Sequence, residues 1–355
     1  MQIEAIREVS GLAAIRDEWE KLWQSLPIAS PYTKWVWQFS WIVTHHLERR
    51  MFILLARDDH GTLAGIAPLQ KVPLALPGYS ALSFIGQETS LSPDFIVQGG
   101  REREFCEAVL QYVAGRRNIA GVLLKMSEPL FGAAPFLEQA FSDRFGQAKI
   151  ERYSERSILQ LPKSYEGFLQ TLSSRMRKEI IVARKKLAES RSIFFCHNGG
   201  VKDIMTRLND LFALNDLRWG QSGGRRVYES LYSRLNTAGI LKVFILYVDG
   251  RPAAGLGALL SKEALYAELA GFDYDIDARH LGKCFYSLVI EWAICNGYRH
   301  FDFSSGNEEY KLRFNPQVYP KYRVLITSST IGRFLLGKSR VLGKHIGWLR
   351  EPAIV

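Results

Sequence analysis

Gly271-Phe272-Asp273-Tyr274-Asp275-Ile276-Asp277-Ala278-Arg279-His280-Leu281-Gly282-Lys283-Cys284 is the stretch on which the reading of the chain turns. The apolar run from Ala264 to Ala270 ahead of it predicts a strand, and Lys283 to Asn296 behind it predicts a helix. The residues between form a loop holding Arg279 and Gly282. Glycine relaxes the steric limits on such a turn, and the first N–H groups of the following helix lack intrahelical acceptors. With the positive end of the helix dipole they make a pocket suited to a phosphate, to which Arg279 adds a charged hydrogen bond. An ordinary glycine-containing loop has the same spacing. The strand–loop–helix context is what favours the anion site.

Past that helix runs Phe301-Asp302-Phe303-Ser304-Ser305-Gly306-Asn307-Glu308-Glu309-Tyr310-Lys311-Leu312-Arg313-Phe314. Asp302 alternates with Phe301 and Phe303, so it faces the opposite side of its strand. A charge on a central strand needs a partner or a task. Glu308, Glu309, Tyr310, Lys311 and Arg313 then supply two candidate bases, a phenolic acid and two cations. That set suits deprotonating an amine, protonating a departing thiolate and steadying an oxyanion. The same residues also read as the solvated, mixed-charge start of a helix.

Working outward, two hairpins stand in matching places. Met51 to Arg57 and Leu63 to Val72 flank Asp58-Asp59-His60-Gly61; Lys242 to Val248 and Ala253 to Leu260 flank Asp249-Gly250. Each half runs helices, hairpin, strand, helix, strand, which predicts two copies of one α/β unit. The first half opens with a helix whose stripe is Leu12, Ile15, Trp19 and Leu22. Ser30-Pro31-Tyr32-Thr33 then caps a second, Trp-rich helix, and a third is expected from Glu102 to Ala114. In the second half helices are expected at 165–171, 176–190, 202–217 and 227–236.

At 355 residues and 47% hydrophobic, the chain is that of a folded protein with room for two domains. It has no uninterrupted apolar run of the roughly 18 to 20 residues that span a bilayer, and Met1-Gln2-Ile3-Glu4 does not open a secretory signal. Cys106, Cys196, Cys284 and Cys295 are scattered, without a Cys-x-x-Cys pair, and no histidines are paired at metal-binding spacing. A reducing cytoplasm and no bound metal are expected. The net charge of +10 fits a polyanionic partner but also many enzymes that have none. No Gly-x-Ser-x-Gly elbow and no Walker loop occur.

Together, Asp249-Gly250-Arg251-Pro252-Ala253-Ala254-Gly255, Gly271-Phe272-Asp273, Arg279-x-x-Gly282 and Phe301-Asp302-Phe303 with Glu309-Tyr310-Lys311 resemble the GNAT-type acetyltransferase domain of the CelD/BioF2-like family. That family is related to the FemAB aminoacyltransferases. Ser173-Ser174-Arg175-Met176-Arg177-Lys178 and Leu214-Asn215-Asp216-Leu217-Arg218-Trp219 match two further signatures, so the resemblance covers most of 155–325. It implies an α/β fold of tandem GNAT-like units, each a mixed sheet flanked by helices. Residues 1–155 would be a degenerate first unit, 156–328 the catalytic unit and 329–355 a basic tail. The resemblance further implies acyl-CoA as co-substrate, with no permanently bound cofactor, and an amine on a small molecule or sugar as acceptor.

Arg279, His280, Gly282 and Lys283 fall on the family's pyrophosphate loop, although Cys284 replaces its last small residue. Tyr310 falls where a tyrosine protonates the thiolate, with Glu308 or Glu309 as base, Lys311 for the oxyanion or a phosphate, and Asp302 orienting its neighbours. Arg177, Lys178, Arg218, Trp219 and Asp273 are candidate acceptor contacts; Arg177 and Lys178 equally read as a solvated helix face, Arg218 and Trp219 as helix-end packing. The tail's Arg333, Lys338, Arg340, Lys344 and Arg350, beside Phe334 and Trp348, fit a peripheral contact with an anionic membrane, although its glycines weaken a helix there and the same residues read more readily as a packed or mobile tail. Two other functions stay open: a Fem-like transferase using aminoacyl-tRNA, and a non-catalytic subunit of a polysaccharide assembly. No specific nucleic-acid site is expected.

Overall fold

A computed structural model describes residues 1–27, 29–127, 148–198, 204–220, 225–276 and 278–327. They form two compact units, Met1–Ser154 with the described residues from Pro320, and Glu155–Tyr319.

The first unit is built on β1 (Gln2–Ile6), β2 (Met51–Arg57), β3 (Leu63–Pro73), β4 (Ser80–Phe84), the short β5 (Ile96–Val97) and β6 (Ile119–Ser127), closed by the last described strand, β13 (Gln317–Thr327). Their order is β1-β2-β3-β4-β6-β13, with β5 beside β3. Strand β2 is apolar on both faces because both are buried, which is why it shows no alternation. The predicted opening helix is two, α1 (Val9–Ala14) and α2 (Arg16–Ser25), broken at Ile15 (φ −92°, ψ 8°). Its stripe of Leu12, Ile15, Trp19 and Leu22 is nevertheless buried throughout. Ser30 accepts from the Tyr32 N–H in one 3₁₀ turn, and α3 (Trp35–Thr44) follows. Helix α4 (Glu102–Ala114) links β5 to β6 and packs Phe105 and Val109 against Phe52, Leu82 and Leu124.

In the second unit, β7 (Ala148–Gln160) leads through α5 (Tyr165–Thr171) and α6 (Ser174–Ser190) to the unpredicted β8 (Ile193–His197). Helices α7 (Ile204–Trp219) and α8 (Arg225–Thr237) precede β9 (Leu241–Val248), β10 (Arg251–Leu260) and β11 (Ala264–Phe272). Then come α9 (Ala278–Cys295), β12 (His300–Ser305) and the single turn α10 (Glu309–Leu312). The sheet order is β8-β9-β10-β11-β12-β7. Asp249 and Gly250, both at positive φ (50° and 77°), make the two-residue turn between β9 and β10, a geometry that the right-handed twist of hairpins favours. Met176, Ile180, Ala183 and Leu187 of α6 form the predicted buried stripe and join Phe244, Leu256, Phe285 and Phe301 in one core.

The strands of the two units repeat each other: three antiparallel pairings, one parallel pairing across a helix, then an antiparallel closing strand. The closing strands are exchanged along the chain. Strand β7, which follows the first unit, pairs with β12, and β13, which follows the second, pairs with β6. The sequence reading runs the second unit to residue 328; in the structure, 320–327 count with the first unit because Lys321–Thr327 pair with β6.

Gly271 at the end of β11 tests the packing of this unit. A Cβ there would stand 2.5 Å from the backbone nitrogen of Asn215 and from the carbonyl carbon of Leu214. Helix α7 is also tied to β11 by the Asn215 amide donating to Ala270 O at 3.1 Å. Gly271→Ala is therefore expected to cost about 1–3 kcal/mol. Chemical denaturation reads it, and an unchanged midpoint would mean α7 can retreat freely.

Candidate functional site

The parallel ladder between β11 and β12 covers only Ala264–Tyr266 against His300–Asp302. Beyond Tyr266 and Asp302 the strands part. Strand β11 continues to Phe272 along β10, while β12 shifts register against β7 between Asp302 and Ser305. Helix α9 begins just past the open end of β11, and α10 just past β12. The result is a cleft bordered by the edge of β11, whose Ala267 carbonyl takes the Ser304 hydroxyl, with the start of α9 beyond that strand.

At its root lies a buried charge pair. Asp302, 1% exposed, accepts from Arg156 Nε at 2.6 Å and contacts Arg156 Nη2; Arg156 is fully buried. The Asp302 Oδ1 also accepts from the Ser304 N–H at 2.8 Å. The Arg156 guanidinium lies 5.4 Å from the Tyr266 ring, and burial pushes that phenol's pKa up. The charge expected to need a partner thus has one.

The acid–base cluster behaves unevenly. Lys311 is buried; its ammonium donates to Ser305 O and lies 2.7 Å from the Glu308 carboxylate. That carboxylate sits close over Gly306 (φ 96°). Glu309 points outward and accepts from Arg313 at 2.8 Å. Tyr310 is 44% exposed, with its ring stacked on Tyr286 of α9 at 5.9 Å. Tyr286 in turn packs on Phe272, Phe301, Phe303 and Phe314, so the exposed tyrosine stands on an aromatic base.

The predicted anion loop differs from its expectation. Helix α9 starts at Ala278, so Arg279, His280 and Gly282 belong to its opening turns and the loop is shorter. Ala278 and Leu281 favour helix, and Gly282 keeps a helical backbone, so the glycine does not delay the start. The first-turn N–H groups without an intrahelical acceptor belong to Ala278, Arg279 and His280. A Cβ on Gly282 would meet only Phe272 Cε1, at 3.9 Å, so the fold itself does not require glycine there. The side chains of Arg279 and His280 lie outside the described residues. Lys283 pairs with Glu179 of α6 at 2.6 Å.

Of the acceptor candidates, Arg177 is taken up by the C-terminal carbonyls of α5: Leu169 at 2.8 Å, Gln170 at 3.3 Å and Leu172 at 3.4 Å. Lys178 is exposed on α6. Asp273 is in the turn after β11 and accepts from the Asp275 N–H. Arg218 and Trp219 end α7, but their side chains lie outside the described residues, as does the tail beyond 327.

Sequence reasoning missed three residues at the cleft: Arg156, Tyr266 and Glu268. Glu268 is the extra residue of a β-bulge, since Gly257 faces Leu269 and Ala258 faces Ala267. Bulges re-aim a side chain. Its charge is felt by Tyr228 and Tyr232 of α8, whose phenols are raised by burial first and by Glu268 second. The available signal was a lone acid in the apolar run from Ala264 to Gly271.

Glu179 joins Arg175, Lys283 and Arg313. Hydrogen bonds from Lys283 and then Arg175 hold its carboxyl down at about 2, against an ordinary 4.5. A depressed carboxyl stabilises the fold fully above pH 4.5, and this contribution is lost as pH falls toward 2. Glu179→Gln should therefore flatten the loss of stability between those values; parallel wild-type and variant denaturation curves would contradict the assignment.

Residues 174–312 match the family model described as an acetyltransferase (GNAT) domain. No curated protein matches the chain. Among solved structures, FemX is similar at a TM-score of 0.67 and 12% identity, covering 98% of this chain and 100% of its own. The C-terminal domain of a proposed lysylphosphatidylglycerol synthetase from Agrobacterium fabrum gives 0.57 and 12%, over 93% and 97% of the two chains. L-PGS from Bacillus licheniformis gives 0.52 and 10%, over 86% and 96%. No helix among the described residues is long and apolar enough to cross a membrane, and no group of metal-ligating side chains is found among them. The fold is thus α/β, of GNAT-like units in tandem, and residues 174–312 are similar to acetyltransferase domains of the GNAT type.

Proposed function

We propose that the second unit moves an acetyl or other acyl group from acyl-CoA to an amine by direct attack, as CelD/BioF2-like enzymes do. The observation that carries this reading is the parting of β11 and β12 beside the start of α9, inside the segment that matches the acetyltransferase domain. A thioester donor's extended arm suits the edge of β11. Its pyrophosphate suits the acceptorless N–H groups of α9, with Arg279 as a neighbouring cation and Gly282 leaving room for close approach.

The amine lone pair attacks the thioester carbon, forming C–N and an oxyanion. Collapse breaks C–S, and the thiolate takes a proton from Tyr310. Of the three donors of Lys311, one goes to Ser305 O while the Glu308 carboxylate lies beside the ammonium as an ion pair, so a donor is left for the oxyanion. The amine's proton goes to Glu268. Glu308 and Glu309 are weaker candidates for that role because each faces a cation, Lys311 and Arg313.

Calorimetry with acetyl-CoA on wild type and Gly282→Ala tests the donor. Wild type should bind, and the variant should keep its melting temperature while binding more weakly. No binding at millimolar ligand would refute the acyl-CoA reading. The fold likeness to FemX across 98% of the chain favours a second reading, transfer from an aminoacyl donor. Activity sensitive to RNase would select it. The acceptor class we assign is an amine of polysaccharide or cell-envelope metabolism.

A further inference from the structure

We infer that Arg156, Asp302 and Tyr266 form the wedge that opens the cleft and sets the segment carrying Lys311. Only the donor-binding arm of this inference rests on the acyl-transfer reading. Tyr266 and Asp302 are the last register pair of the parallel ladder, so the strands part at this triad. Two neighbouring parallel strands ordinarily go on pairing, since unpaired main-chain groups are costly. Here β12 turns away because it carries Phe303 and Ser304 where β7 carries only Ser157, between the pairs Asp302 with Ile158 and Ser305 with Arg156. That extra residue is a bulge, and Ser304 takes a φ of 73°, uncommon for a residue with a side chain.

Asp302 is what holds Ser304 there. One of its oxygens takes the Ser304 N–H at 2.8 Å, while the other is fixed by Arg156 at 2.6 Å. The Ser304 hydroxyl bonds across the cleft root to Ala267 O. The turned-out segment is then pinned by Ser157 Oγ donating to Gly306 O at 2.9 Å and by Gly306 N–H donating to Glu155 O at 2.8 Å. Ser305, within it, supplies the carbonyl that receives Lys311. A continuous path runs from Arg156 through Asp302 and Ser304 to the ammonium proposed for the oxyanion. A buried ion pair is a poor source of stability compared with apolar side chains of similar volume. Holding a strained turn is a task that apolar side chains could not perform, because they offer Ser304 no acceptor.

These three are positioning residues, and the test separates positioning from stability. Arg156→Met alone strands a buried carboxylate, so the informative protein is the double variant Arg156→Met/Asp302→Leu, which buries no charge at this point. It should melt near wild type, yet amide exchange at 303–306 in the ligand-free protein should quicken by about tenfold or more, with β9 and β10 unchanged. Its acetyl-CoA affinity should fall by about tenfold or more, the scale expected when a site loosens by a fraction of an ångström. Arg156→Lys should recover part of both.

Native exchange at 303–306 in the double variant overturns the inference. So does exchange that quickens equally from β9 through β12, since that is what a merely structural pair would give. If wild type itself binds no acetyl-CoA, the acyl-CoA reading falls, and the exchange measurement still decides the wedge.

Discussion

Lys311→Met is expected to lower turnover by about a hundredfold or more, the scale set by removing one preorganised donor to an oxyanion. The buried ammonium has two partners in the protein, Ser305 O and Glu308, and neither can replace it. Stability should fall by about 1.5–3 kcal/mol, as for a hydrogen bond to a charged group. The lower end is the better expectation, because the Glu308 side chain is 39% exposed and regains water once its partner is gone. Lys311→Arg should not rescue turnover, since a planar fork does not fit the slot of a compact ammonium. The decisive comparison is turnover at a temperature where both proteins are folded. If Lys311→Met stays within about threefold of wild type there, the cation does not stabilise the transition state.

The order of elements was legible because the local signals agreed with one another. Asp249-Gly250 named a hairpin turn, and the stripe of Met176, Ile180, Ala183 and Leu187 named a buried helix face. Three strands were not legible. Ile3 and Ala5 alternate with polar residues over too short a run to show a strand, and Phe194 of β8 is 59% exposed, which blurs its pattern. Strand β13 carries Lys321, Arg323 and Tyr319 among its apolar residues. Its place beside β6, and that of β7 beside β12, depends on pairing between segments far apart in sequence. No local pattern records such an exchange.

At the proposed site, some structural roles were legible in the sequence and others were not. Asp302 was recognisable as a charge needing a partner. Arg156 was not recognisable as that partner, because Glu151-Arg152-Tyr153-Ser154-Glu155-Arg156 reads as a solvated strand and nothing in it distinguishes the one buried guanidinium. Arg177 looked like a ligand contact because a basic residue near a helix start is ambiguous. Its use on the carbonyls of α5 follows from how α5 and α6 turn about Leu172. Gly282 looked like a helix boundary since glycine is a poor helix former. Helix α9 runs through it because the buried positions Leu281, Cys284, Phe285 and Val289 continue the helical repeat on both sides.

Glu268→Gln should reduce turnover by about 10²- to 10⁴-fold, the range for loss of a positioned general base. The carboxylate belongs to the bulge of β11, and its charge reaches the phenols of α8. On the acyl-transfer reading, an acceptor approaching from the α8 side would meet this carboxylate. Glutamine keeps the size and removes the basicity, so donor affinity should be unchanged and the loss should appear in turnover. A structural check accompanies it: with the charge gone, the Tyr228 phenol should titrate lower than in wild type, though burial still holds it above its ordinary value. Comparable losses of donor affinity and turnover would mean that Glu268 shapes the cleft and takes no proton. A fall in the Tyr228 titration with wild-type turnover would mean that the acceptor's proton leaves by another route, and Glu308 would become the base to test next.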